Sequence, residues 1–585
     1  MPAILAALAG VKSSGQSADV QGLPAHLYLP DLQGPGYVRL PTARIKPWLS
    51  MLMELHGERG HDWDGDALRL SRMDALRTAT SLGEGAHWQG ASRLLALVQQ
   101  MRGQAALTAV PVPDGLQATL RPYQQQGLNW LQFLREHRLA GILADDMGLG
   151  KTLQTLAHIL TEKNAGRLTQ PALIVAPVSL LGNWQREAAR FCPGLKTHVH
   201  HGLSRHETTQ ELCSYDVVIT AYSLLSRDRD MWLQVPWHVL VLDEAQNIKN
   251  ANTNAAQVVT EIPAVHRLCL SGTPIENHLG ELWSQFHFLM PGFLGSQKRF
   301  TELFRNPIER QGSTEKLAQL RARVTPFMLR RTKDLVASEL PPKIETLMPV
   351  PLQGQQADLY ETIRLGMEKT VREALHTQGL GRSQITILDA LLKLRQVCCD
   401  PRLLKLSAAS QVQQSAKLEQ LLDMLPEMVA EGRKILLFSQ FTEMLGLIEK
   451  ALPALGIPWV KLTGQSKNRD AIIDKFTSGQ VPLFLISLKA GGVGLNLTAA
   501  DTVIHYDPWW NPAAENQATD RAWRIGQDKP VFVYKLIAKG TLEEKIQLLQ
   551  QKKSDLAQSI LAEGEAHKMA LTQEDLQAIF APLEE

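Results

Sequence analysis

Residues 141–152 read GILADDMGLGKT, an apolar run that passes through a glycine-rich turn into a stretch of helical period, LQTLAHIL. A strand that opens into a helix through glycines is the setting in which backbone amides cradle an anion. Gly148 and Gly150 permit the close approach, and the positive end of the helix dipole adds to it. In such a loop Lys151 reaches the β- and γ-phosphates of a nucleotide and the Thr152 hydroxyl ligates Mg²⁺, with Asp146, Met147 and Leu149 completing the cradle. One position departs from the strict pattern: six places before the lysine, where a glycine is expected, stands Asp145. A second signal lies about ninety residues downstream in HVLVLDEAQ (238–246), a hydrophobic run ending in two carboxylates. Beside a phosphate loop, Asp243 is placed to hold Mg²⁺ and Glu244 to polarise the attacking water.

Outward from these motifs, short apolar runs alternate with helical stretches: AGILA, ALIVAP, DVVITA, HVLVLDEA and RLCLSGTP, then, past residue 425, KILLFSQ, WVKLTG, PLFLISL, DTVIHYD and PVFVYKLI. Runs that are apolar on both faces and separated by helices suit parallel sheets covered on each side. The expected class is therefore α/β, with two doubly wound parallel-sheet lobes. The boundaries read from the pattern are an N-terminal accessory region (1–115), a first lobe (116–335) with a helical protrusion near 295–325, a linker and second helical protrusion (336–425), a second lobe (426–550) and a helical tail (551–585). Within the last two, LEEKIQLLQQKKSDLAQSILAEG reads as an amphipathic helix.

Composition limits the alternatives. The 585 residues carry 61 Lys and Arg against 59 Asp and Glu, a balance of +2 that does not by itself advertise nucleic-acid binding, so any such contact must come from local patches. No apolar run approaches the ~18 residues of a membrane helix, and no basic residue precedes the apolar start, so the cytoplasm is the expected compartment. The five cysteines (Cys192, Cys213, Cys269, Cys398, Cys399) form no CxxC pair and read as core residues in a reducing compartment.

Together with RPYQQQGLNWL (121–131), LSGTPIENHLGELW (270–283) and QATDRAWRIGQ (517–527), these motifs closely resemble the Swi/Snf family of superfamily-two helicases and translocases, in the bacterial type of the RapA/HepA group. The resemblance runs from about Leu120 to Ile546 and implies two RecA-like lobes. It further implies that Gln124 reads the adenine edge, that Ser271 and Thr273 couple hydrolysis to lobe movement, and that Pro177, Ser179 and Trp184 lie along one DNA strand. Where the family usually has DEAH, the fourth position here is Gln246, whose amide can still reach the SGT segment. In the second lobe Gln517, Arg521 and Arg524 fall at i, i+4 and i+7, one face of a helix. From there both guanidinium groups would point across the cleft as arginine fingers.

Lys461, Thr463, Lys467 and Arg469 in KLTGQSKNR, Lys489 in SLKAGG, and Ser439 and Gln440 in FSQF are expected to face the track, offering donors that suit phosphates and carry no base code. Gly491, Gly492 and Gly494 allow close backbone approach to DNA phosphate or to the nucleotide ribose, and Trp509 and Trp510 are either DNA or coupling contacts or buried packing. MLRRTKDLV (328–336), with Arg330, Arg331 and Lys333, resembles the family's brace between lobes and reads equally as a hinge, a DNA contact or an inhibitory latch. The expectation is a monomeric, ATP- and Mg²⁺-dependent motor. It would track double-stranded DNA and act on a DNA-bound protein such as RNA polymerase. The competing readings are a nucleotide-switched DNA-binding scaffold with little turnover and an RNA-directed or strand-separating helicase.

Overall fold

The computed structural model describes residues 92–551 apart from short stretches (203–207, 276–277, 337–339, 408, 410, 492–494, 510 and 549), parts of 25–82, and residues 573–583. Among the described residues two all-parallel sheets organise the chain. The first holds β1 (Gly141–Leu143), β2 (Ala172–Ala176), β3 (Thr197–His200), β4 (Val217–Ala221), β5 (Trp237–Asp243), β6 (Ala264–Leu270) and β7 (Met328–Leu329), in the spatial order β7-β1-β6-β5-β2-β4-β3. The second holds β8 (Lys343–Pro351), β9 (Ile435–Ser439), β10 (Trp459–Leu462), β11 (Leu483–Ser487), β12 (Thr502–His505) and β13 (Val531–Lys539), in the order β8-β13-β12-β9-β11-β10. Every residue of ALIVA, VVITA and WHVLVLD is buried, as covering of both faces by helices requires.

Register does the functional work. Leu143 of β1 pairs with Leu270 of β6, and Leu270 with Asp243 of β5, so these three residues form one row across the sheet. The glycine loop, the SGT segment and the Asp-Glu pair therefore leave the carboxyl edge at the same level, where open parallel sheets bind ligands. In the second sheet Ser439 pairs with Ser487 and Phe438 with His505, which brings the FSQF, SLKAG and YDPW segments to one edge in the same way.

Two boundaries differ from the sequence pattern. Residues 343–351, read as linker, form edge strand β8 along the full length of β13. Their apolar alternation is weak because mostly one flank is covered, and Pro349 and Pro351 are tolerated because an edge strand has a free side. Nor is the N-terminal region separate from the first lobe: Leu76 and Met101 enter its core, and buried Glu54 accepts a fork from Arg323 at 2.7 and 3.0 Å. The protrusion near 295–325 joins that same core through Phe300, Phe304, Ile308 and Leu320. The amphipathic stretch past residue 551 lies mostly outside the described residues. The short helix Gln573–Ile579 packs Leu576 and Ile579 against the core of the second protrusion. Cys192, Cys269, Cys398 and Cys399 are buried, while Cys213 is exposed. No described helix is long and apolar enough to cross a membrane.

The second lobe contains a buried ion pair: Lys417 Nζ lies 2.9 Å from Glu543 Oε2 and 2.9 Å from the Tyr506 carbonyl, both side chains being almost inaccessible. Removing one partner leaves a bare charge in the core. Lys417→Met is therefore expected to cost about 3–5 kcal/mol and to lower the urea midpoint, with Lys417→Met/Glu543→Leu recovering most of the loss.

A candidate nucleotide site between the lobes

Gly148 and Gly150 both occupy the left-handed region (φ 83° and 85°), which a side chain would strain. Helix Lys151–Asn164 starts directly after Gly150, which has no side chain with which to cap its first-turn amides. Lys151 Nζ donates to the carbonyls of Asp145 and Asp146, curling the loop around the ammonium. Gln124 is buried against the same loop: its amide donates to Leu149 O at 3.1 Å and accepts from Arg121 N at 2.9 Å, beside the Tyr123 hydroxyl, which also bonds Leu149 O. Met147 packs on Gly272, the glycine of the SGT segment, where an added Cβ would lie 3.1 Å from its side chain.

Asp243 is clamped on both oxygens, Oδ2 by the Trp184 indole at 2.7 Å and Oδ1 by the Glu244 amide at 2.9 Å, while Tyr222 bonds its carbonyl. Burial, reinforced by the adjacent Glu244 charge, raises the Asp243 carboxyl to about 7 against the opposing pull of Lys151. Glu244 itself is held at φ 49°, an unusual backbone for a residue with a side chain. From it a continuous chain of hydrogen bonds leaves the lobe. Gln246 Nε2 donates to Glu244 Oε2 at 2.6 Å, Ser271 Oγ donates to Gln246 Oε1 at 2.8 Å, Thr273 N donates to Ser271 Oγ at 3.2 Å, and Gln517 Nε2 of the second lobe reaches Thr273 Oγ1 at 3.4 Å. A carboxamide can give at one end and take at the other, so glutamine at position 246 bridges the carboxylate and the serine without a titrating group.

The arginines reach this gap by a different local structure from the one their spacing suggested. The helix Pro512–Thr519 stops before them, and Arg521 and Arg524 ride a run of tight turns in which Arg521 N bonds Ala518 O and Trp523 N bonds Thr519 O. Its ending coincides with a distant contact: the Trp523 indole donates to Pro341 O at 2.8 Å, outside the helix's own sequence. Arg521 is almost fully buried with Nε on Gly491 O at 2.9 Å. Burial lowers its pKa to about 10, partly offset by the Glu244 carboxylate of the opposite lobe, so the guanidinium stays charged at neutral pH. A Cβ on Gly148 would fall 2.9 Å from Arg524 Cβ, so the bare glycine lets the arginine turn lie against the phosphate loop. Burial also lowers the pKa of Arg524, with Glu187 opposing the shift.

Several residues expected to face DNA do not. Trp184 is fully buried because its indole holds Asp243, so it supports the carboxylate and is closed to a strand. Ser439 is buried with Oγ on Asp507, whose other oxygen takes the backbone amide of half-buried Gln440, so the aspartate shapes the FSQF loop. Thr463 is buried over the Ser466 hydroxyl, and Gly491 is pinned under Phe438, where a Cβ would approach within 2.5 Å. Lys461 pairs with Glu449. Lys467 and Lys489 are exposed, Arg469 and Pro177 half-buried. Half-buried Trp509 lies 5.3 Å from the Arg395 guanidinium. The Ser179 side chain and Gly492, Gly494 and Trp510 lie outside the described residues. Trp184 and Tyr222 support Asp243, a role that no motif in the sequence marks. Only a tryptophan within a strongly amphipathic helix (Leu181–Phe191) signalled burial for the first of them.

Residues 123–403 match the SNF2-related domain and residues 416–526 the helicase conserved C-terminal domain. The chain is 40% identical to the putative ATP-dependent helicase/translocase YwqA of Bacillus subtilis over 86% of its own length and 55% of that protein's. It is 34% identical to the TATA-binding protein-associated factor MOT1 of Saccharomyces cerevisiae over 83% of its length and 30% of that protein's. Against a solved Sulfolobus solfataricus SWI2/SNF2 ATPase core in complex with dsDNA the identity is 38%, covering 81% of this chain and 99% of that one, with a TM-score of 0.41. The chain thus spans about half or less of the length of the curated relatives it matches. Its two domain matches, which together span most of the chain, and its 40% identity to the Bacillus protein show that the chain belongs to the Swi/Snf family of helicase-like ATPases.

Proposed function

We propose that this chain is a DNA-stimulated ATPase that travels along double-stranded DNA without parting the strands and displaces bound proteins. The observation that carries the reading is the hydrogen-bonded chain Glu244–Gln246–Ser271–Thr273–Gln517, which runs from the half-buried carboxylate of one lobe into the other, where buried Arg521 lies close enough to feel the Glu244 charge. Turnover then depends on lobe closure, which is what a motor needs.

The residues fit Mg²⁺·ATP: an uncapped helix start and two left-handed glycines for the phosphates, and Thr152 with Asp243 for the metal. Mg²⁺, when bound, supplies neutralisation of charge on the β- and γ-phosphates. Lys151 holds the terminal phosphate, Gln124 flanks the adenine, and Glu244 orients and deprotonates the attacking water. Arg521 and Arg524 stabilise charge developing on the transferred phosphoryl group. Gln246, Ser271 and Thr273 pass the state of Glu244 to Gln517. On the track, exposed Lys467 and Lys489 contact phosphates, with loop amides beside them. The names of the relatives, a helicase/translocase and a TATA-binding-protein-associated factor, support a DNA-bound protein as the object of the motor.

Phosphate release measured with duplex DNA, single-stranded DNA and RNA tests this directly. Duplex DNA is expected to stimulate most, with no strand displacement, and a clear preference for RNA would overturn the assignment. Because contacts are to phosphates, raising salt from about 50 to about 200 mM should weaken DNA binding about 10³-fold if six phosphates are neutralised. Duplexes of unrelated sequence should bind alike.

A further inference from the structure

Asp145, the residue that breaks the strict phosphate-loop pattern, is fully buried with its carboxylate on Arg331. Its carboxylate receives a fork from Arg331, with Nε on Oδ1 at 2.8 Å and Nη2 on Oδ2 at 2.5 Å, and it also takes the Arg331 backbone amide at 3.1 Å. Gln154, on the helix that follows the loop, bonds both partners, donating to Asp145 Oδ2 at 3.2 Å and accepting from Arg331 Nη2 at 2.8 Å. The remaining Arg331 nitrogen donates to the Tyr123 carbonyl. This is one continuous edge. The β7–β1 ladder continues past both strands, Ala144 N to Leu329 O at 2.7 Å and Asp146 N to Arg331 O at 3.0 Å, so the chain leaving the first lobe runs hydrogen-bonded alongside the phosphate loop.

Two residues on, the same chain grips the other lobe. Lys333 is 2% exposed; its amide donates to Asp146 Oδ2 at 3.0 Å, while Nζ lies 2.8 Å from Asp520 Oδ1 and also bonds the Trp523 carbonyl. Nζ sits 4.7 Å from the Trp523 ring, Lys343 lies 4.5 Å from that ring, and the indole NH is held by Pro341 O. Asp520 and Trp523 immediately flank Arg521 and Arg524.

We propose that Arg331 and Lys333 are positioning residues for ATP turnover, two prongs of a strap that fixes the phosphate loop at one end and the arginine turn at the other. Arg331 sets the loop through Asp145; Lys333 sets the turn through Asp520 and Trp523. With only Thr332 between them, the spacing of loop and arginines in the closed state is defined by three residues of chain. Asp145 is thereby explained: a glycine there would leave the buried guanidinium without its counter-charge.

The proposal rests on the ATPase reading, and the experiment separates the two. In the full chain, wild-type phosphate release with duplex DNA scores the ATPase reading alone. Lys333→Met and Asp520→Asn score the strap, by kcat and by the Kd of a fluorescent ADP. Lys333→Met is expected to cut kcat tenfold or more with Kd within threefold, because nucleotide contacts of the first lobe are intact. Lys333→Arg should restore most of kcat, and Lys333→Met/Asp520→Asn should be no worse than either single change. Arg331→Lys, which keeps the buried charge compensated but loses the fork, should weaken ADP binding at least fivefold even if wild-type turnover is absent. Wild-type kcat in Lys333→Met, multiplicative losses in the double variant, or unchanged ADP affinity in Arg331→Lys would overturn the proposal.

Discussion

Replacing Glu244 with glutamine is expected to lower phosphate release about 10³-fold, within the range general-base catalysis supplies, and equivalent to ~4 kcal/mol of barrier. The substitution conserves shape and the left-handed backbone at this position, and the amide oxygen can still accept from Gln246 Nε2. What disappears is the carboxylate that takes the proton from water. Its loss has a second effect of opposite sign. The Glu244 charge is part of what raises the Asp243 carboxyl to about 7, so in Glu244→Gln that carboxyl ionises at lower pH and protons compete less with Mg²⁺ for it. The variant should therefore bind Mg²⁺·ATP at least as tightly as the wild type at neutral pH while failing to turn it over. Equilibrium binding of a fluorescent ATP analogue and steady-state phosphate release check the two halves. Full turnover would remove Glu244 from the chemistry and favour a nucleotide-switched scaffold.

The second large effect is expected at the arginine turn. Arg521→Ala and Arg524→Ala should each lower DNA-stimulated kcat by 10³ or more, the size of effect guanidinium stabilisation produces in related phosphoryl-transfer enzymes. ADP affinity should hold within a few-fold, because the glycine loop, Lys151 and Gln124 all belong to the first lobe. Arg521 is buried and close enough to Glu244 to feel its charge, so water screens the guanidinium less than it would at the surface. Arg524 stands over Gly148, where an added Cβ would lie 2.9 Å from the arginine's own. Substitution by lysine should rescue little, since an ammonium cannot reproduce the planar fork. Turnover within a few-fold of wild type in the Arg521→Ala/Arg524→Ala variant would show that the second lobe takes no part in hydrolysis.

Much of the architecture was legible because it rests on local physics. ALIVA, VVITA and HVLVLD are apolar on both faces whatever surrounds them, and a strand that opens through glycines into a helix announces itself. What stayed hidden depends on distant partners. Strand β8 exists because β13, almost two hundred residues away, offers an edge, and its own alternation is too weak to predict it. Helical spacing placed Arg521 and Arg524 on a helix face, yet the helix stops at Thr519 and Trp523 is anchored to Pro341 in the crossover. Trp184 and Ser439 sit in segments that resemble DNA contacts, yet each turns inward to brace an aspartate, Asp243 and Asp507. Asp145 looked like an imperfection in a motif until Arg331, 186 positions along the chain, supplied its partner. In each case the residue type was visible and the partner that gives it meaning was not.

The claim on which the mechanism depends is that one terminal phosphate is held from both lobes at once, and the affinity for Mg²⁺·ADP·aluminium fluoride, set against that for Mg²⁺·ADP, measures it most directly. In the presence of duplex DNA the wild type should bind the transition-state analogue far more tightly than ADP, and Arg521→Ala/Arg524→Ala should lose that preference by about 10³-fold, the guanidinium contribution expected on the transferring group, with ADP binding preserved. An analogue preference that survives removal of both arginines would contradict the two-lobed site.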